Sequence, residues 1–124
     1  MDRTPFQFGP LSGNQTGFVV RIPKGISDRG GLFDAMERER LLPPYFGSNW
    51  DALEEVLRDF HWIPQRRIII IHEDLPRLPE RELQTYLDVL RNCVGDWTPD
   101  DDHELIAVFP EESRDRIESL LEID

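Results

Sequence analysis

The sequence predicts an α/β domain in which a small three-stranded parallel sheet is flanked by helices, with an additional helix at the C-terminus. Three observations lead there. Runs rich in β-branched and aromatic residues, at 18–22, 66–72 and 105–109, alternate with stretches whose apolar residues recur at helical spacing. The middle run, Arg66-Arg67-Ile68-Ile69-Ile70-Ile71-His72, is continuously apolar at its centre instead of alternating, the pattern of a strand covered on both faces in a parallel sheet. The segments between runs are long enough for the helical crossovers that parallel strands require.

Taken in order, residues 1–16 are rich in Gly, Pro, Asn and Ser, carry isolated aromatics at Phe6 and Phe8, and read as an extended leader with no assigned function. Residues 17–124 then form a single domain. Phe18-Val19-Val20-Arg21-Ile22 is the first strand, ended by Pro23, and Lys24-Gly25 turns the chain. Ser27 or Asp28 can cap the first helix, which has Leu32, Phe33, Ala35 and Met36 on its apolar side. Leu41 and Leu42 close that helix against the core before Pro43-Pro44, and Glu37-Arg38-Glu39-Arg40 suits a solvated face. Past a second helix, His61 to Gln65 connects to the central strand. Pro79 suits the first position of a third helix through Leu83, Tyr86, Leu87 and Leu90. Gly95 to Asp102 is a loop, Leu105 to Phe109 the third strand, and Ser113 to Ile123 the additional helix, with Ile117, Leu120 and Leu121 inward.

The stretch from Leu42 to Leu57 organises the rest. Pro43 and Pro44 cannot continue a helix, so the chain turns; Gly47 can take a positive φ, and Ser48 or Asn49 can cap a new helix. At about 100° per residue, Trp50, Leu53, Val56, Leu57 and Phe60 gather on one side of it, and Asp51, Glu54, Glu55 and Asp59 on the other, with Arg58 the only cation among those acids. Asp51 and Glu55 are one turn apart, about 6 Å along the axis, near the spacing of successive phosphates on a nucleic-acid strand. Each of these residues also has a local reading. Asp51 has capping-box spacing from Ser48, Tyr45 and Phe46 can pack the loop, and Asn49 can serve as N-cap, interface hydrogen-bonder or both. Trp50 belongs mostly in the core, at the edge of any interface.

Composition narrows the class of function. Cys93 is the only cysteine, which permits no intramolecular disulfide and suits a reducing compartment, the cytoplasm by default. The N-terminus lacks the apolar core of a signal peptide, and the longest aliphatic run, Ile68 to Ile71, is too short to enter a membrane. A net charge of -11 argues against nucleic-acid and anionic-lipid partners and favours a cationic one, although solubility alone would also account for it. There is no H-E-x-x-H, no G-x-S-x-G, no Gly-rich phosphate loop and no paired cysteine. The enzymatic alternative is a metal-assisted hydrolase built on His72-Glu73-Asp74 at the end of the central strand, with His61, His103 or Asp100-Asp101-Asp102. The expectation is no catalytic residue, no metal site and no cofactor.

Tyr45-Phe46-Gly47-x-Asn49-x-Asp51-Ala52-Leu53 resembles the signature of the barstar family, small intracellular inhibitors of ribonucleases, with Pro just before it and an amphipathic helix just after. The resemblance implies an inhibitor, not an enzyme, monomeric when free. Its partner would be a basic ribonuclease of extracellular type or a ribonuclease toxin. It implies that Asp51 and Tyr45 contact the enzyme, and that Asp51 and Glu55 occupy its phosphate site as mimics of RNA. Phe46, Asn49, Trp50, Glu54 and Asp59 complete the expected binding surface. Glu55 stands where the best-known members carry Asp, Glu54 where they carry Trp, and an acid that the family offers from its later helix falls near Asn92. The alternative is an acidic interaction module of the same fold that binds a basic partner other than a nuclease.

Overall fold

The computed structural model describes residues 5–10 and 16–122. Residues 1–4 and 11–15 of the expected leader, and Ile123 of the expected last helix, lie outside the described residues. The described residues form four strands: β1 (Gln7–Phe8), β2 (Phe18–Ile22), β3 (Arg67–His72) and β4 (Glu104–Phe109). Four helices accompany them: α1 (Arg29–Arg38), α2 (Trp50–Leu57), α3 (Glu80–Asp96) and α4 (Arg114–Leu120), the last preceded by a 3₁₀ turn at Glu111–Ser113. The sheet is wholly parallel, in the order β1-β4-β3-β2.

The expected three-stranded sheet is therefore corrected to four strands. Gln7 and Phe8 pair with Val108 and Phe109, and the Gly9 N–H donates to the Phe109 carbonyl at 3.0 Å. Phe6 is buried with its ring 5.2 Å from that of Phe109, and the Arg114 guanidinium lies over the Phe8 ring at 4.3 Å. Phe6 and Phe8 are two apart and so point to one face, which is why two residues of strand suffice to bring both aromatics onto the core.

One core joins the helices to one face of the sheet. Val20 and Ile22, Ile68 and Ile70, and Leu105, Ala107 and Phe109 alternate along their strands into the same cluster as Leu32, Leu53, Leu87 and Ile117 from the four helices. On the opposite face Ile69 is also fully buried, flanked in register by Val19 and Ile106, which accounts for the unbroken apolar run of β3. α1 packs on β2, α3 on β4, and α2 on α3, so α2 is held at one remove from the sheet with its outer side free.

The helix ends differ from expectation. α1 stops at Arg38, because Arg40 turns left-handed (φ 64°) and the Leu41 N–H donates back to the Met36 carbonyl at 3.0 Å, a Schellman closure that drops Leu41 into the core. α2 ends at Leu57. Phe60 reaches the core from a left-handed residue (φ 56°) beyond the helix, and Asp59 lies in that same turn.

Candidate functional site

The turn that launches α2 is built as expected, with one exchange of roles. The Phe46 N–H donates to the Pro43 carbonyl at 3.1 Å, closing the proline turn. The positive φ falls on Ser48 (56°) and not on Gly47. Asn49 is the N-cap: its Oδ1 accepts from the Ala52 N–H at 2.8 Å and its Nδ2 donates to the Gly47 carbonyl at 3.2 Å. Asp51 is thus the second residue of the helix, one position short of the third-residue place from which a capping-box acid reaches back. What remains to it locally is a favourable charge in the first turn.

The loop aromatics part company. Tyr45 is 69% exposed, whereas Phe46 is half-buried with its ring edge-on to Phe33 at 5.0 Å. Trp50, also half-buried, packs on Phe33 at 5.2 Å and on Tyr86 at 5.9 Å, so its ring belongs largely to the core. Phe46 and Trp50 thereby hold the turn in place, and Tyr45 projects from it.

The acids divide as well. Asp51 and Glu55 are exposed and accept no hydrogen bond or ion pair among the described residues. Glu54 is engaged by Arg58, whose Nη2 donates to its Oε2 at 2.9 Å, and the other end of the same guanidinium binds Asp96 of α3. Asp59 is clamped by His61: the His61 N–H donates to Oδ1 at 3.2 Å, and Nδ1 lies 2.8 Å from Oδ2. His61 stands edge-on to Trp62 at 5.0 Å, and the Trp62 indole N–H donates to the Leu41 carbonyl at 3.1 Å. Between the loop and the end of α2 is a cavity of about 240 Å³ lined by Tyr45, Phe46, Glu55, Asp59 and Trp62 among others. The structure therefore brings Tyr45, Phe46, Glu55 and Asp59 together at one opening, while Asp51 and Glu54 lie along α2 outside the lining. Asn92, where a later-helix acid was expected, is exposed, and Asp96 one turn on is the α3 acid that reaches α2. The sequence singles out neither Asp96 nor Trp62 as a site residue, and His61 only for the enzymatic alternative; the lone Arg58 among the acids of α2 is the available sign of a partner such as Asp96.

His72, the centre of the enzymatic alternative, is a core residue. A carbonyl can only accept, so Nδ1 carries the proton donated to Val108 O at 2.8 Å, and Nε2 accepts from the Tyr86 hydroxyl at 2.6 Å. The ring stacks on Phe109 at 3.9 Å. Burial lowers the His72 pKa to about 4 and lifts that of Tyr86 well above its ordinary range. Asp74 does not share its site, since Asp74 Oδ2 accepts from the Gly25 N–H at 3.1 Å across the sheet end. Burial also pushes the Cys93 thiol up to about 11, leaving it a poor nucleophile at neutral pH. Among the described residues no cluster of three or more His, Cys, Asp or Glu is placed to hold a metal, and no helix is long and apolar enough to cross a membrane.

No curated protein and no solved structure matches the chain. The family model for barstar, described as the barnase inhibitor, matches residues 18–111, from the start of β2 through β4 to the residue after Pro110. The matched stretch includes the turn, α2 and the α3 face that carries Asp96, and leaves out β1 and α4. With the larger part of its length matched and its parallel sheet flanked by helices, the chain belongs to the barstar family.

Proposed function

We propose that this protein inhibits a cationic ribonuclease by occluding its active site, with Asp51 and Glu55 standing where RNA phosphates would lie. The observation that carries the reading is the pair itself. Among the described residues these two carboxylates on α2 have no partner within the chain, in a family described by its action on barnase. A site built to hold a phosphodiester presents Arg, Lys or His, and a carboxylate with unused acceptor capacity makes charge-assisted hydrogen bonds to all three. Tyr45 supplies a rigid exposed aromatic next to the charges, the composition of a binding hot spot. Asp59 adds charge at the mouth of the cavity, and Asn49 holds the first turn of α2 in place. The partner is a basic ribonuclease of extracellular type or a ribonuclease toxin, so the inhibitor acts in self-protection or immunity within the cytoplasm. It works as a monomer, without catalytic residues or cofactor.

The test is an RNA-cleavage assay with barnase and with basic proteins captured from the source cell's lysate and secretions. The reading requires stoichiometric inhibition that excess RNA competes away. A captured ribonuclease that still cleaves RNA at full rate in the complex would contradict it. Capture of basic proteins with no nuclease activity would favour the general interaction module.

A further inference from the structure

We infer that Arg58 is a specificity-determining residue of the docking face, one that withdraws Glu54 and Asp96 from a partner's reach and disfavours partners with a cation opposite it. The inference rests on the inhibitor reading above. Arg58 follows directly on α2, yet it bridges two helices, with Nη2 on Glu54 of α2 and Nη1 on Asp96 of α3. Its position is fixed from both sides. The Trp97 indole N–H donates to the Leu57 carbonyl at 2.8 Å, and the Cys93 thiol approaches the Glu54 carbonyl at 3.7 Å, so the backbone of α2 is tied to α3 on either side of the guanidinium. Arg58 and Asp96 also line a second opening of about 220 Å³ with Trp97 and Asp101, so the pair faces solvent beside the docking face.

The consequence is a face in two parts. Along one line Asp51, Glu55 and Asp59 offer three negative charges, the last shared with His61. Beside it, Glu54, Arg58 and Asp96 together carry a single net negative charge, and their strongest hydrogen-bonding groups are already spent on each other. An enzyme whose cations fall only along the first line meets two carboxylates with no partner among the described residues and a third shared with His61. One with a further Arg or Lys opposite Arg58 meets a like charge, and would have to displace the guanidinium from Glu54 or Asp96 to use either acid. Discrimination of this kind, by a repulsive element as well as attractive ones, is how related interfaces separate their partners.

The experiment measures binding of barnase, as the defined basic ribonuclease, to the wild-type chain and to Arg58→Gln, Arg58→Lys, Glu54→Gln, Glu55→Gln, Glu54→Gln/Arg58→Gln and Glu55→Gln/Arg58→Gln, in 50 mM NaCl, with thermal unfolding to verify each fold. Arg58→Gln should tighten binding or bring it into the measurable range, by roughly three- to tenfold, mainly through the on-rate. Arg58→Lys keeps the charge but lacks the fork that holds both carboxylates, so it should fall between the wild type and Arg58→Gln. Glu54→Gln should stay within about twofold of its parent in the wild-type background, because Arg58 already occupies that carboxylate, but should cancel most of the gain in the Arg58→Gln background. The inference is overturned if Arg58→Gln folds and binds no better, or if Glu54→Gln weakens the wild type as much as Glu55→Gln does. Failure of the inhibitor reading looks different: Glu55→Gln would then leave binding unchanged in every background.

Discussion

Asn49 and Asp51 are two residues apart in the same turn, and the hydrogen bonds assign the local duty to Asn49 alone. Asn49→Ala should therefore cost about 1 kcal/mol in urea unfolding, whereas Asp51→Ala should cost a few tenths, the value of an exposed acid in a first helical turn. His72 makes a second prediction at this scale. Its folded pKa of about 4 lies below the value of about 6.5 for an unfolded histidine. As pH falls through 6.5 the unfolded chain takes up a proton that the folded chain refuses. The stability due to neutral His72 is thus full above pH 6.5 and is lost as pH drops toward 4, by about 3 kcal/mol in all. Unfolding midpoints of the wild type and His72→Gln, followed from pH 8 to pH 4, should converge as the pH is lowered; parallel curves would contradict this assignment. Much of the candidate site was legible in residue order, because helical spacing alone put Asp51, Glu54 and Glu55 on one side and a fixed motif marked the turn. What spacing could not reveal was who pairs with whom. Arg58 with Asp96 and Asp59 with His61 depend on how the end of α2 meets α3 and on a left-handed Phe60. The same lack of tertiary information put the positive φ on Gly47, the least strained choice, when the fold places it on Ser48.

Among the elements, β2, β3, β4 and the four helices were legible because each is long enough to show a period or a run of β-branched residues. β1 was not, since two residues carry no period; its only trace was the pair of aromatics at Phe6 and Phe8. Yet β1 and α4, the two elements outside the family match, touch each other through Phe8 and Arg114 and share the Phe109 end of β4. They lie side by side outside the matched fold. Phe6→Ala should cost about 3 kcal/mol, the usual penalty for emptying a buried aromatic site. Phe8→Ser should speed amide hydrogen exchange in α4 (114–120) while leaving α2 unchanged. Equal acceleration in α2 would mean that β1 supports the whole domain and not α4 in particular.

For the molecule as a whole, the excess of 25 acidic over 14 basic residues sets a long-range field, and Asp51 and Glu55 of α2 are exposed within it. Association with a basic ribonuclease should accelerate steeply as salt is lowered, with most of the effect in the on-rate. Barnase and its inhibitor are the reference case for such steering, so this expectation transfers a family property to a new member. Stopped-flow association rates between 25 and 500 mM NaCl would measure it, and a flat profile would remove the electrostatic part of the account. On the proposed reading, Asp51 and Glu55, exposed and without a partner among the described residues, serve a partner's cations and do little for the fold. Its most direct test is to measure stability and ribonuclease affinity together on Glu55→Ala. Removing this acid relieves repulsion from Asp51 one turn away, so the unfolding midpoint should hold or rise slightly. The complex should weaken by roughly 2–5 kcal/mol, the range for stripping one partner from a buried, hydrogen-bonded charge pair. A variant that binds its ribonuclease as tightly as the wild type does, whatever its stability, would contradict the claim.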